Sequence, residues 1–260
     1  ALAVGPEISY AVIPAGPSSS TPGARYLMAL DTIANYRKEL GYEDPEQAQA
    51  AVTRVVQGSD LGGIQYQRVF DYYADDSWGM ENAWQILVAE YVATGEGTGI
   101  VHQAPAYGED DQITCAEAGI PVVISVDDAG CFLDQVSDVA GLQVFDANKP
   151  LTKLLRESGR LFAERSYDHS YPHCWRCRTP LIYKAVSSWF VKVTEIRDRM
   201  VELNQDITWV PDNVKDGQFG KWLANARDWS ISRNRYWGSP IPVWKSDSPE
   251  YPRVDVYGSL

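Results

Sequence analysis

The sequence has few cysteines and no long apolar run. Its 260 residues include four cysteines, too few for a disulfide-based scaffold, and this low content favours the reducing cytoplasm. No uninterrupted apolar segment approaches the roughly 20 residues that cross a bilayer, and no cleavable signal sequence opens the chain. We therefore expect a soluble, cytoplasmic protein with no membrane partner.

Positive charge is also scarce. Lys and Arg number 23 against 35 Asp and Glu, which gives a formal net charge of -12 at pH 7. Because contacts from Lys and Arg to phosphates supply most non-specific affinity for nucleic acid, this deficit argues against a protein that binds long stretches of it. One basic segment runs from Lys221 to Arg235, where Asp228 is the single acid. We expect any nucleic-acid contact to be local.

An initiator methionine is missing as well. The chain begins at Ala1, and a strand-like stretch from Ile8 to Ile13 follows within a few residues. We expect the sequence to be an internal fragment of a longer protein.

Short apolar runs separated by turn residues predict a strand-rich first domain, and the later chain carries helical patterns. One helix is expected from Leu151 to Ser158, with Asn148 as N-cap and Gly159 at its end. An apolar stripe at helical spacing, best explained by core packing, marks a second helix after Val193. The expected strands are Ile8 to Ile13, Tyr26 to Leu30, Val52 to Gln57, Tyr66 to Phe70, Gln85 to Val92, Gly99 to Gln103, Pro121 to Val126 and Leu181 to Val186.

Candidate chemistry is concentrated between residues 95 and 111. Glycines there precede an apolar run that ends at His102, and the acids Glu109, Asp110 and Asp111 open a predicted helix. Each part has a purely structural explanation: glycines for turns, a half-buried histidine, and acids that favour a helix N-terminus. A histidine on a strand and a carboxylate at a helix start, on either side of a tight turn, could also line one pocket.

A Cys-x-x-Cys pair is formed by Cys174 and Cys177. Such a pair supplies two of the four ligands of a structural zinc, and two unpaired thiols are the alternative. His169 and His173 lie nearby, but their spacing to the pair is not diagnostic. Cys115 and Cys131 are expected to be core residues.

The run from Gly97 to Asp111, Gly-Thr-Gly-Ile-Val-His-Gln-Ala-Pro and its acidic end, resembles the editing-site signature of isoleucyl-tRNA synthetases. The related valine and leucine enzymes share the Gly-Thr-Gly opening but carry a different residue where His102 stands. Four later segments resemble the return from the inserted editing domain to the class I catalytic fold: Tyr171 to Cys177, Ser188 to Phe190, Trp209 to Pro211 and Asp228 to Gly238.

This resemblance implies an α/β (α+β) fold in three parts. Residues 1–165 would form a mostly β editing domain, a barrel-like sheet with peripheral helices. Residues 166–225 would form a helical connection with the zinc knuckle, and residues 226–260 would begin the second half of a Rossmann-type catalytic domain. The implied activity is hydrolysis of valine wrongly attached to tRNA(Ile), within an enzyme that joins isoleucine to that tRNA using ATP. The implied partners are the valine-bearing 3′ end of tRNA(Ile) and the remainder of the synthetase chain.

The resemblance also implies residue roles. Asp111 would bind the substrate α-amino group through a charge-assisted hydrogen bond, and His102 would lie beside the side-chain pocket and exclude isoleucine. Isoleucyl-tRNA synthetase is itself the standard example of the weak discrimination that one methylene allows, so a second, steric sieve is reasonable. His102 as general base is the alternative, but no partner in the sequence orients it. Further substrate contacts are expected from Gly97, Thr98, Gly99, Ala104, Pro105, Tyr107 and Asp110.

Departures from the family pattern limit these expectations. The Thr-Thr-Thr-Pro-Trp strand that precedes a segment like Ala1 to Glu7 is outside this chain, so we expect the fragment to be weakly active. Relatives that complete the zinc site use a second Cys-x-x-Cys, also outside it, so a half-site is expected. The ATP-binding signatures His-x-Gly-His and Lys-Met-Ser-Lys-Ser do not occur, so ATP and Mg²⁺ belong to the full-length enzyme.

Two other functions stay open at this point. A free-standing deacylase acting in trans would leave the segment after Asp228 without a purpose. A non-enzymatic zinc-knuckle module that binds tRNA would use aromatic and basic residues such as Arg233, Arg235, Tyr236 and Trp237, but the acidic charge and the run from His102 to Asp111 disfavour it.

Overall fold

The computed structural model describes residues 1–95, 97–166, 168–233 and 238–257. The chain divides into two compact units, Ala1–Ala185 and Val186–Leu260. The expected three-part division at residues 165 and 225 stays a prediction. Arg235, Tyr236 and Trp237, expected to contact nucleic acid, lie outside the described residues. Within the described ranges no helix is both long enough and apolar enough to span a bilayer.

Among its described residues, the first unit contains six strands and four α-helices. Its strands are β1 (Leu2–Val4), β2 (Ser9–Pro14), β3 (Arg25–Ala29), β4 (Arg54–Gln57), β5 (Ile86–Val88) and β6 (Ile100–His102). Its helices are α1 (Arg37–Leu40), α2 (Pro45–Ala50), α3 (Glu109–Glu117) and α4 (Val144–Glu157). Short 3₁₀ turns at Leu30–Tyr36, Gly58–Leu61, Asp76–Trp78 and Ser137–Val139 complete it.

Local sequence signals set several of these boundaries. The α1 helix ends at Gly41, whose φ of +87° gives the left-handed C-terminal cap that glycine adopts without strain. The α2 helix begins after Asp44, whose side chain accepts a hydrogen bond from the backbone N–H of Gln47 at 2.7 Å, and Pro45 occupies its first turn.

Two three-stranded sheets form the frame of the first unit. In one, β1 lies between β5, to which it is parallel, and β6, to which it is antiparallel; Leu2 pairs with His102. In the other, β2 lies between the antiparallel strands β3 and β4. Because β2 is central, its Tyr10, Ala11 and Ile13 are fully buried.

Tyr10 ties the two sheets to the start of β6. Its hydroxyl accepts a hydrogen bond from the Gly5 N–H at 3.0 Å and donates one to the carbonyl of Gly99 at 2.7 Å. A buried hydroxyl that lacked such partners would destabilise the fold by about 1–3 kcal/mol. The site region is thus anchored to the central strand of the second sheet.

The second unit contains strands β7 (Phe190–Val191), β8 (Trp229–Ser230), β9 (Val243–Lys245) and β10 (Val254–Val256) and helices α5 (Arg197–Gln205) and α6 (Gln218–Ala224). Strands β7 and β8 pair with each other, as do β9 and β10. Its 3₁₀ turns are Val193–Glu195 and Asp212–Val214. In α5, the buried Asn204 accepts from the Trp209 indole and donates to the Lys215 carbonyl, both at 2.9 Å.

The expectation of a mixed α and β structure with short strands is confirmed. The described strands form four separate small sheets rather than one barrel-like sheet, and none of these sheets closes on itself. The stretch from Pro121 to Val126 was expected to be a strand but makes only an isolated bridge between Val126 and Phe132.

Three further element predictions are wrong or shifted. Tyr66 to Phe70 is irregular beyond a bridge at Gln65, and Leu181 to Val186 has isolated backbone hydrogen bonds instead of a ladder. The α4 helix begins well before Leu151, because the side chain of Gln143 accepts from the Phe145 N–H at 2.8 Å and caps it there. Pro150 consequently lies inside the helix.

Candidate functional site

The Gly-Thr-Gly turn packs β6 against β3. Gly99 has a φ of +76°, and a Cβ atom added to it would lie 2.5 Å from the Cβ atom of Ala29. The carbonyl of Thr98 accepts a hydrogen bond from the Ala29 N–H at 2.8 Å. Gly97 has a φ of +68° and open space around it. The described contacts of Thr98 and Gly99 are structural, and their expected role in substrate binding stays a prediction.

A tight turn leads from β6 into α3. The Tyr107 N–H donates to the carbonyl of Ala104 at 2.8 Å, and Gly108 occupies the N-cap position without a capping side chain. The side chain of Asp111 closes this turn, because its Oδ2 atom accepts a hydrogen bond from the Ala104 N–H at 3.0 Å. The carboxylate therefore reaches back from the first turn of α3 to the end of the strand segment.

A second contact holds the other carboxylate oxygen. The Tyr91 hydroxyl lies 3.3 Å from Oδ1 of Asp111 and donates to Oε1 of Gln103 at 2.6 Å. Gln103 is only 2% exposed, and its neighbour in the chain is His102. Asp111 thus sits between a backbone donor and a tyrosine hydroxyl.

Asp111 retains capacity for a cation. A carboxylate has about four acceptor positions, and the contacts to Ala104 and Tyr91 occupy two of them. Glu109 and Asp110 share the same helix turn, and Asp110 is exposed to solvent. The start of α3 is therefore negatively charged, which suits an ammonium ligand and disfavours a second anion.

His102 ends β6 as an exposed side chain. Alternation along the strand places His102 on the face of Ile100, opposite to Val101 and Gln103. Removal of part of the imidazole from water lowers its pKa below the usual value, whereas the Asp111 carboxylate raises it. No hydrogen bond between His102 and Asp111 occurs among the described residues. The two are close enough to interact electrostatically, but the structure does not link them directly.

The expected substrate contacts divide into two groups. Ala104 contacts Asp111 directly. The hydroxyl of Tyr107 instead lies 2.7 Å from Oγ of Ser125 and accepts from the Ser125 N–H at 2.8 Å. Pro105 and Tyr107 line a separate shallow cleft of about 150 Å³, together with Tyr183 and Lys184.

Sequence reasoning missed Tyr91 and Gln103. Gln103 lies inside the motif, directly after His102, and its polarity at a position on the same strand face as the apolar Val101 was an available signal. Tyr91 lies 12 residues earlier in the chain than Gln103 and belongs to no motif, so nothing in the sequence connected it with Asp111.

The Cys-x-x-Cys pair forms part of an exposed turn. A hydrogen bond to the Thr179 hydroxyl, with Oγ1 3.0 Å from Sγ of Cys177, contributes most to lowering the pKa of Cys177 to about 7, and Cys174 contributes as well. His173 Nδ1 lies 2.9 Å from the carbonyl oxygen of Tyr171. No group of three or more His, Cys, Asp or Glu side chains suited to a metal occurs in the described part of the chain. Two thiols alone do not fit a four-ligand zinc site.

Comparisons with known proteins give a consistent picture. The family model described as "tRNA synthetases class I (I, L, M and V)" matches residues 26–256. Three relatives named isoleucine–tRNA ligase align with the whole chain: 69% identity in Leifsonia xyli subsp. xyli, 56% in Corynebacterium diphtheriae and 52% in Tropheryma whipplei strain Twist. The chain covers 24% of each relative, about a quarter of its length.

One solved structure is also similar. It is titled "The crystal structure of GlLeuRS-CP1", with a TM-score of 0.40 and 16% sequence identity. The match covers 64% of this chain and 78% of that one. A similarity at this level supports no conclusion about fold or function.

Proposed function

This chain belongs to the class I tRNA synthetases of the isoleucine, leucine, methionine and valine group, and from that membership we propose that it is the part of an isoleucine–tRNA ligase that removes valine wrongly attached to tRNA(Ile). Identities of 52–69% to isoleucine–tRNA ligases over the whole chain support an isoleucine–tRNA ligase as the parent enzyme. The parent would join isoleucine to its tRNA with ATP and Mg²⁺, which bind outside this chain, and would work in the cytoplasm.

The placement of Asp111 is the observation that carries this proposal. Its Oδ2 atom accepts a hydrogen bond from the Ala104 N–H, its Oδ1 atom lies 3.3 Å from the Tyr91 hydroxyl, and further acceptor positions are free. An aminoacyl ester carries an ammonium group next to its reactive carbonyl. A fixed carboxylate that binds the ammonium would therefore hold the carbonyl in one place, and such positioning is a large part of catalysis.

The reaction is hydrolysis of the ester. The oxygen of a water molecule attacks the carbonyl carbon, the bond from that carbon to the ribose oxygen at the tRNA 3′ end breaks, and the ribose oxygen takes up a proton. The products are free valine and uncharged tRNA. Asp111 binds and orients the substrate in this scheme.

His102 is proposed as the size filter. It lies at the end of β6, and the removal of part of the imidazole from water lowers its pKa, so the imidazole is mostly neutral at pH 7. A neutral ring can lie against the methyl groups of valine without the penalty of burying a charge. The extra methylene of isoleucine would then collide with it.

The proposed partner is the valine-bearing 3′ end of tRNA(Ile). The formal charge of -12 means that other regions of the synthetase must supply most of the affinity for the tRNA body. We also propose that Cys174 and Cys177 supply half of a zinc site whose other ligands come from outside this chain.

The test is an Asp111→Asn variant of the full-length enzyme. Asn keeps an oxygen that can accept from Ala104 but removes the negative charge. Loss of a charge-assisted hydrogen bond, about 1.5–3 kcal/mol, should slow hydrolysis of valyl-tRNA(Ile) by about 10- to 100-fold and leave isoleucine activation unchanged.

The matched control is Glu117→Gln. It removes one carboxylate from the last turn of the same helix, where the side chain is exposed. Equal rates of valyl-tRNA(Ile) hydrolysis in the Asp111→Asn variant and the control would refute the proposal.

A further inference from the structure

Three polar side chains lie in series behind the proposed ammonium site. Gln103 contacts the Tyr91 hydroxyl at 2.6 Å, and the same hydroxyl lies 3.3 Å from Oδ1 of Asp111. Asp111, the last of the three, also accepts a hydrogen bond at Oδ2 from the Ala104 N–H. The series therefore begins in the protein interior and ends at the carboxylate.

Gln103 is unusual among the three because it is almost completely buried. It is 2% exposed, and its Nε2 atom has no hydrogen-bond partner among the described residues. A buried polar group without a partner destabilises a fold, whereas an apolar side chain of similar size would avoid that penalty. The amide is thus better explained by what it does for Tyr91 than by packing.

The Tyr91 hydroxyl has one proton and reaches the acceptors on Gln103 and Asp111; the Thr114 hydroxyl is a further hydrogen-bond neighbour. Burial raises the pKa of Tyr91, so it is protonated at neutral pH and acts as a donor. A half-turn of the Gln103 amide would exchange its oxygen and nitrogen. The nitrogen would then donate to the Tyr91 oxygen, and the Tyr91 proton would be free for the stronger, negatively charged acceptor, Asp111.

From this arrangement we propose that Tyr91 and Gln103 are positioning residues: Gln103 fixes the Tyr91 hydroxyl, and the hydroxyl fixes the Asp111 carboxylate against the substrate ammonium. The inference deepens the proposed editing function and rests on it. With only the Ala104 contact left, the carboxylate can pivot about its Oδ2 atom. A displacement of about 1 Å in such a site can slow a reaction by around a hundredfold.

The test compares two esters in single-turnover deacylation by the full-length enzyme. One is valyl-tRNA(Ile), and the other is α-hydroxyisovaleryl-tRNA(Ile), which carries a hydroxyl in place of the ammonium. Tyr91→Phe removes only the phenol oxygen. It should slow the valyl ester by about 5- to 30-fold and change the α-hydroxy ester by less than about twofold, because only the first depends on Asp111.

Two further variants separate positioning from general damage. Gln103→Met keeps an unbranched side chain of similar size and should reproduce the pattern of Tyr91→Phe. Tyr42→Phe is the control, because it removes a tyrosine hydroxyl that donates to the Pro14 carbonyl at 2.9 Å, without a contact to Asp111. It should leave both rates unchanged. In an Asp111→Asn background, Tyr91→Phe should cause no additional loss on the valyl ester.

The outcomes are distinguishable. Selective loss on the valyl ester supports the inference. Equal losses on both esters, or no loss in Tyr91→Phe, would overturn it while the editing function stands. A wild-type enzyme that cleaves neither ester would overturn the editing function and this inference together.

Discussion

A Cβ atom added to Gly108 would lie 2.8 Å from Oδ2 of Asp111. The carboxylate folds back over the N-cap residue of α3, and the absence of a side chain at Gly108 is what lets it reach the Ala104 N–H. Glycine is needed here for space, because the backbone of Gly108 has a φ of -144°, which any residue adopts.

Gly108→Ala should therefore displace the Asp111 carboxylate. In the full-length enzyme we expect valyl-tRNA(Ile) hydrolysis to fall by about tenfold or more, since the methyl group occupies the position of the oxygen. Gly95→Ala is the control, because a Cβ atom there meets nothing within 4 Å. The measurement is the single-turnover rate of valyl-tRNA(Ile) hydrolysis. Equal rates for the two variants would show that displacement of the Asp111 carboxylate does not affect the reaction.

Alanine substitutions at Gly97 and Gly99 distinguish the energetic cost of backbone strain from the cost of a side-chain clash. Both have positive φ, and alanine at such a position destabilises by about 1–2 kcal/mol. Gly99→Ala also forces a methyl group against Ala29, which should destabilise by about 1–3 kcal/mol more. Urea unfolding of this chain measures both variants. Equal destabilisation would mean that the β3 contact is unimportant.

His102→Ala tests the size filter in the full-length enzyme. Removing the imidazole should allow hydrolysis of correctly made isoleucyl-tRNA(Ile), since the cavity then admits the extra methylene. Because its pKa is below the usual value, the ring is neutral from about pH 7 upward, and the preference for valine should not change there. Loss of valine removal without any new activity would identify His102 as a base instead.

Cys174 and Cys177 should hold zinc weakly in this chain. Two thiols supply half of a tetrahedral site, and no third candidate ligand accompanies them within the described ranges. Metal analysis of the purified chain should give well under one zinc per molecule after dialysis against a chelator. Stoichiometric zinc that resists the chelator, and disappears in Cys174→Ser, would show a complete site.

Local signals predicted the frame of the site well. The strand predicted from Gly99 to Gln103 is confirmed in a shorter form as β6, and the helix predicted to open at Glu109 is confirmed as α3, because β-branched residues and a cluster of acids are short-range features. The predicted boundary of α4 was too late, since the cap at Gln143 is not among the usual N-cap residues.

Contacts between residues distant in the sequence could not be predicted from such local signals. Tyr91 follows β5 and Asp111 follows β6, and these two strands flank β1 on opposite sides, so their contact depends on the tertiary fold rather than on local sequence. Leu181 to Val186 has the composition of a strand, but the structure gives it no ladder partner, so its backbone bonds go singly to Pro172 and Ala106. Strand pairing depends on which other strands lie alongside, and the composition of one segment does not identify them.

The most direct measurement is single-turnover deacylation of valyl-tRNA(Ile) and isoleucyl-tRNA(Ile) by the full-length enzyme in excess. If the region around Asp111 and His102 is a second sieve, the valyl ester should be cleaved faster by roughly tenfold or more, since sterically excluding a larger side chain is more effective than binding a smaller one. Cleavage of the isoleucyl ester at the same rate, or no cleavage of the valyl ester above its spontaneous rate, would contradict the account.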